Sequence, residues 1–224
     1  MTDIRGIVGQ AATLPAQSNQ RSIAVRTTPR GEIVGMDWIQ QAAFDGKLFI
    51  VTLGTEDAPI NSTTSIDDQL VWAVIDVPAD STIVPVYCEV AAATWGSSTL
   101  SNVMLEVDNT ANRYSSGGSA FTPLNMNTAS SNTSGVTAYV GTDVTVSAKT
   151  SGGSLECSRL VGSENNVATT TGQESQYLWS ARHNVAPVLS GTSSLLLHYG
   201  AASADQTGYG CLMFVEYANT ETEL

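Results

Sequence analysis

His183 and His198 are the only histidines in this chain of 224 residues, so any Ser-His-Asp set would have to use one of them. Serine occurs 25 times and threonine 26 times, which makes a serine near a histidine in sequence uninformative. A triad is defined by geometry rather than spacing. The patterns that accompany nucleophilic, zinc, phosphate and dinucleotide chemistry (G-x-S-x-G, H-E-x-x-H, the P-loop and G-x-G-x-x-G) do not occur. His198, within Leu195-Leu-Leu-His-Tyr199, reads as a strand residue with a satisfied ring, and His183, beside Arg182, as surface or interface. The expectation is a protein without catalytic residues, and not an enzyme.

The other candidates for chemistry have plainer readings. Glu56-Asp57 and Asp67-Asp68 could offer oxygen ligands to calcium, but neither has the spacing of a calcium loop and both lie in polar stretches, so solvated acids are expected. No metal-binding or cofactor-binding residue is predicted. Asn61-Ser-Thr63 and Asn132-Thr-Ser134 match the glycosylation acceptor pattern, which is expected to be idle because the chain is expected not to be exported. Of Trp38, Trp72, Trp95 and Trp179, the second and fourth lie in strand-like runs and belong in a core. Trp95, next to Gly96 at a strand-end turn, is the predicted exposed aromatic contact. Cys88, Cys157 and Cys211 form an odd set without metal-like spacing; Cys88 and Cys211 sit in apolar runs, and all three read as buried, reduced thiols.

These residues need elements to hold them, and the composition points to strands. Only 13% of residues are charged, and Lys47 and Lys149 are the only lysines, whereas charged residues make up about 25% of a typical soluble domain. Abundant Thr, Val, Ser, Gly and Asn suit short, half-buried strands joined by turns. The spacing predicts strands at 47–53, 69–77, 82–93, 100–107, 136–140, 143–148, 155–161, 176–182, 194–199 and 210–217, about ten in all, an antiparallel β-sandwich rhythm. Pro85 predicts an edge or a bulge within its strand. Val103, Leu105 and Val107, alternating with Asn102, Met104 and Glu106, predict one wet face. Residues 32–44 predict a helical turn or two, and 108–135 a surface excursion or contact loop.

Charge separates the amino terminus from the rest. Arg5, Arg21, Arg26 and Arg30 against Asp3 give residues 1–30 a formal charge of +3, which leaves −15 for a remainder that brings the total to −12. The segment lacks steady periodicity and holds Pro15 and Pro29, so it reads as an extended basic arm, with residues 31–224 as one sandwich domain. The four arginines are the expected inter-subunit contacts, since a guanidinium forms forked hydrogen bonds to carboxylates. The acidic body would repel a phosphate backbone, so no direct nucleic-acid binding by the sandwich is expected. Met1-Thr-Asp-Ile-Arg-Gly places a charged pair where a signal peptide needs an apolar stretch, and no run approaches about 18 apolar residues. A soluble protein made in cytoplasm, with no membrane partner, is the expectation.

Three strings carry a family likeness: Val77-Pro-Ala-Asp-Ser-Thr-Ile-Val-Pro-Val86, Asn112-Arg-Tyr-Ser-Ser-Gly-Gly-Ser-Ala-Phe-Thr-Pro-Leu-Asn125, and Ser194-Leu-Leu-Leu-His-Tyr199 with Tyr209-Gly-Cys-Leu-Met-Phe-Val-Glu-Tyr217. Over residues 30–217 the chain resembles jelly-roll virion structural proteins of bacterial viruses. The resemblance implies a jelly-roll sandwich and a capsid or capsid-decorating subunit, assembled as a homo-oligomer, a trimer first of all, with other capsid subunits as partners. It implies no active site. A competing expectation from another class is a receptor- or glycan-binding module of a viral tail or spike, which would work without the arm and would display an aromatic platform.

Overall fold

The computed structural model describes residues 37–63, 67, 69–94, 100–110, 112–148, 154–163, 176–201 and 206–219. Among these residues one short helix, α1 (Trp38–Phe44), precedes fourteen strands: β1 (Leu48–Leu53), β2 (Ile60–Asn61), β3 (Leu70–Val77), β4 (Ser81–Thr94), β5 (Leu100–Asp108), β6 (Tyr114–Ser116), β7 (Ser119–Phe121), β8 (Leu124–Asn125), β9 (Thr137–Val146), β10 (Ser154–Ser163), β11 (Gln176–Ser180), β12 (Leu189–Ser190), β13 (Ser193–Ala201) and β14 (Thr207–Ala218). The fold is all-β, as the composition predicts. The sequence-predicted strands are present, and the additional ones are pieces of two or three residues that periodicity cannot register.

The strands form two antiparallel sheets. Sheet 1 runs β11-β4-β14-β1-β8, with β12 also on β4 and β2 also on β14. Sheet 2 runs β10-β5-β13-β3-β9-β6, with β7 also on β9. Alternate residues of both sheets meet in one core: Phe49, Val51, Leu53, Cys88, Val90, Tyr177, Trp179, Leu212 and Phe214 from sheet 1, and Trp72, Ile75, Val103, Leu105, Val107, Leu195, Leu197 and Tyr199 from sheet 2. That shared core makes the two sheets a β-sandwich. Trp72 and Trp179 are buried as expected; the Trp72 ring lies 4.7 Å from that of Tyr199, and its Nε1 donates to the Asn61 carbonyl at 3.1 Å.

Several local expectations meet the tertiary structure differently. Pro85 lies in an interior strand, but at a bulge: β14 pairs Met213 with Tyr87 and then Phe214 with Pro85, leaving Val86 as the extra residue. On the other side of β4, β12 reaches Thr82 and Ile83 and β11 starts at Tyr87, so the proline falls in the gap where no ladder donor is needed. The segments 136–140 and 143–148 are one strand, β9, which absorbs Gly141 at a register shift opposite Val71 and Ala73.

The wet face expected on β5 is a correction. Met104 and Glu106 are buried, because β5 is an interior strand between β10 and β13 and the outer face of sheet 2 is also covered. A second apolar layer of Val71, Val74, Val144, Val146 and Leu196 lies on that face, with Tyr114 and Tyr139 packed against it. The 108–135 excursion is likewise partly built in: β6 and β7 pair with β9, and β8 adds an edge to β1.

Candidate interaction face

Helix α1 lies across the strands on the outer side of sheet 1. Asp37 starts it by accepting from the Ile39 amide at 2.8 Å, the usual way an aspartate satisfies an orphan donor at a helix start. Gly46, at φ +68°, ends it in the left-handed region that Asp45-Gly46 suits. Its Ala42 packs with Leu48, Val86 and Val215, on three adjacent strands, and Ile39, Ala43, Tyr87, Met213 and Tyr217 fill around them. The amino end is tied to the β11 side by Arg182, whose guanidinium meets the Asp37 carboxylate at 2.9 Å. The carboxyl end is tied to the β8 side, where Asn127 Nδ2 donates to the Phe44 carbonyl at 3.0 Å and Asn132 Nδ2 to that of Asp45 at 3.4 Å.

Large apolar side chains are left in solvent at both borders of this layer. On the β8 side are Phe44, Leu124 and Met126, with Leu124 directly opposite Ile50 of β1. On the β11 side are Leu178, 57% exposed between the buried Tyr177 and Trp179, and Val188 and Val185, 66% and 97% exposed in the excursion that joins β11 to β12. Trp38, 47% exposed at the start of α1, follows the Asp37 that Arg182 holds. These seven are the exposed large hydrophobic residues among the described ones, and each belongs to sheet 1, to the helix laid on it or to a loop at its edge. Apolar side chains gathered on one side of a molecule, rather than scattered singly, mark a contact surface.

Between the two borders the face is chemically quiet. Tyr87 Oη donates to Glu89 Oε2 at 2.7 Å, and Glu89 lies opposite Cys211 on β14. Burial raises the Tyr87 phenol, with the Glu89 hydrogen bond adding to it. Burial also pushes the Cys211 thiol up to about 11, with the Glu89 charge second, and raises the Cys88 thiol in the core. Cys88 is buried as expected, whereas Cys211 is only partly covered because it faces outward. Neither is a nucleophile at neutral pH, where the thiolate is the reactive form.

Sheet 2 carries the polar clusters, and they are anchors. Arg113 is buried against Asp108, its Nε donates to the Ser147 carbonyl at 2.8 Å, and its amide donates to Asp76 Oδ1 at 3.0 Å. Ser194 Oγ donates to the same Asp76 oxygen at 2.5 Å, so the cluster fastens the chain between β5 and β6 to β3 and β13. His198 Nδ1 meets the Leu70 carbonyl at 3.1 Å and its Nε2 faces Glu106 at 3.3 Å, both side chains buried. The ring is satisfied at Nδ1 as the sequence reading expects, whereas at Nε2 Glu106 stands at ion-pair distance without a hydrogen bond. His183 sits in an exposed turn after β11 on the other sheet, so the two histidines do not converge. Glu56, Asp57 and Asp67 are exposed.

Arg5, Arg21, Arg26, Arg30 and Trp95 lie outside the described residues, as does the arm to which the four arginines belong. Trp38 was not singled out by sequence as an exposed aromatic, although it is one. Leu178, Val185 and Val188 were missed as well: in Gln176-Tyr-Leu-Trp-Ser180 the alternation hides which face is inward, and the only signal for the two valines was a pair of apolar residues flanking Pro187 outside any strand pattern. No family model, curated protein or solved structure matches the chain.

Proposed function

We propose that this chain is a virion structural protein: a capsid or capsid-decorating subunit that packs with copies of itself in or on a phage shell. The observation that carries the reading is the placement of the exposed apolar residues at two opposite borders of one sheet, β8 on one side and β11 on the other. A subunit in a shell has neighbours on more than one side, and each neighbour removes such area from water.

The strand order supports the jelly-roll form of the sandwich. The pairs β1 with β14, β3 with β13, β4 with β11 and β5 with β10 are nested along the chain, like a long hairpin rolled over itself. They distribute into two four-stranded layers, β1-β14-β4-β11 and β3-β13-β5-β10, the arrangement of an eight-stranded double Greek key. In this reading β6 to β9 are an insertion between the fourth and fifth strands of the roll. The arm of residues 1–30, with Arg5, Arg21, Arg26 and Arg30, crosses to an acidic neighbouring subunit.

Mass decides the matter. Light scattering of the purified chain at micromolar concentration should give a multiple of 23.5 kDa, three copies in the first instance. Electron microscopy of particles carrying labelled chain should place it in or on the shell. A chain that stays monomeric in solution and is found at a tail tip overturns the reading in favour of a receptor- or glycan-binding module.

A further inference from the structure

Among the described residues, strand β11 is an unguarded sheet edge. Its sequence, Gln176-Tyr-Leu-Trp-Ser180, has no charge and no proline, it pairs with β4 without a register shift, and β4 is its only ladder partner among the described residues. Natural proteins blunt such edges with lysine, proline or a bulge, because a free row of amides and carbonyls is a template for another strand. Here the edge is instead enriched in exposed apolar residues, Leu178 in the strand and Val185 and Val188 just beyond it.

We propose that β11 pairs antiparallel with β11 of a second copy, joining two sheets 1 into one continuous sheet across a two-fold axis. The inference rests on the self-assembly reading above and names a contact between assemblies rather than within a ring of three, since a two-fold contact joins copies in pairs. Three features select a second copy as the occupant. Antiparallel self-pairing is self-complementary, and centred on Leu178 it sets the two exposed leucines against each other, where opposing Cβ atoms lie about 4.5–5.5 Å apart. Tyr177 and Trp179 point inward on both copies, so the pairing would extend the core layer as well as the outer one. Residues 31–224 carry −15, so copies must meet where charge is sparse, and Asp37 and Arg182 already neutralise each other on this rim. The basic arm is the weaker candidate, since its arginines need carboxylates and β11 contains none.

The test is register-specific disulfide trapping in the full-length chain. Leu178→Cys should yield a covalent dimer of twice 23.5 kDa under mild oxidation, at least tenfold faster than the parent chain with its three native cysteines. Gln176→Cys alone should not, because the pairing places position 176 opposite 180. Gln176→Cys mixed with a differently tagged Ser180→Cys chain should cross-link. Leu178 is exposed, so its replacement leaves folding intact, and an unchanged thermal midpoint verifies this. Trapping of Leu178→Cys no faster than the parent, in a chain that light scattering shows to be oligomeric, overturns the β11 contact and leaves the shell reading standing. Equal trapping of Gln176→Cys with itself indicates collision without register and also overturns it, as does preferential cross-linking of position 178 to an Arg26→Cys arm. A chain that is monomeric throughout overturns both readings.

Discussion

Replacing Arg113 with methionine is the sharpest test of how the non-periodic 108–135 region is held. The guanidinium is 1% exposed and the Asp108 carboxylate beside it is fully covered. Methionine keeps an apolar stem of similar length but leaves Asp108 as a buried charge facing no cation, and leaves the Ser147 carbonyl without the donor now 2.8 Å away. Removing one partner of a buried pair costs about 3–5 kcal/mol, most of it the penalty of the stranded charge. For a chain of this size each kcal/mol moves the thermal midpoint about 2–4 °C, so a fall of about 6–20 °C is expected. Arg113→Lys keeps the charge without the fork and should fall between. Asp108→Leu combined with Arg113→Met removes both charges and should recover much of the loss, although the Thr110 amide, held by Asp108 Oδ1 at 2.8 Å, is then left without that acceptor. Urea unfolding followed by circular dichroism measures all four proteins. If Arg113→Met lies within about 0.5 kcal/mol of the parent, as a surface substitution would, the cluster is not an anchor and the reasoning fails.

Two further outcomes follow from the thiols. Cys211, pushed from 9.0 up to about 11, carries at neutral pH about one hundredth of the thiolate of an ordinary cysteine, so in a Cys157→Ser background the folded protein should react with a thiol reagent about a hundredfold more slowly than the urea-unfolded one; equal rates would remove the burial argument. Because folding raises the pKa of Cys211, and also those of Cys88 and Tyr87, the folded state holds these protons more tightly: the stability this contributes is fully present below pH 9 and is lost as pH rises toward 11. The unfolding midpoint should fall over that interval, less steeply in Cys211→Ser, and an unchanged slope in that variant would refute the assignment.

The chain's class was legible without coordinates, and for a simple reason. A residue pattern of period two, cut by Gly, Asn and Ser, states which stretches are strands, and Val103-x-Leu105-x-Val107 or Gly210 to Tyr217 says so whatever they pair with. Burial of Trp72, Trp179 and Cys88 was legible for the same reason, since large apolar side chains inside such runs have nowhere else to go. Short pieces such as Tyr114–Ser116 and Leu124–Asn125 were not, because two or three residues define no period and become strands only when β9 or β1 is alongside.

What tertiary structure alone decided is which faces are covered. Alternation on β5 separates Val103 from Met104 but does not say that Met104 and Glu106 are also buried; that depends on β5 being interior to sheet 2 and on His198 standing opposite Met104 on β13. The same limit hid the interaction face. Leu178 is an ordinary apolar strand residue in sequence, and it is conspicuous only because β11 ends a sheet and turns that side chain away from Tyr177 and Trp179. Local sequence sets the period of a strand, since backbone sterics act between neighbours. Neighbours in the sheet are chosen by contacts between residues far apart in the chain, such as Leu48 with Val215, and exposure is a property of those neighbours.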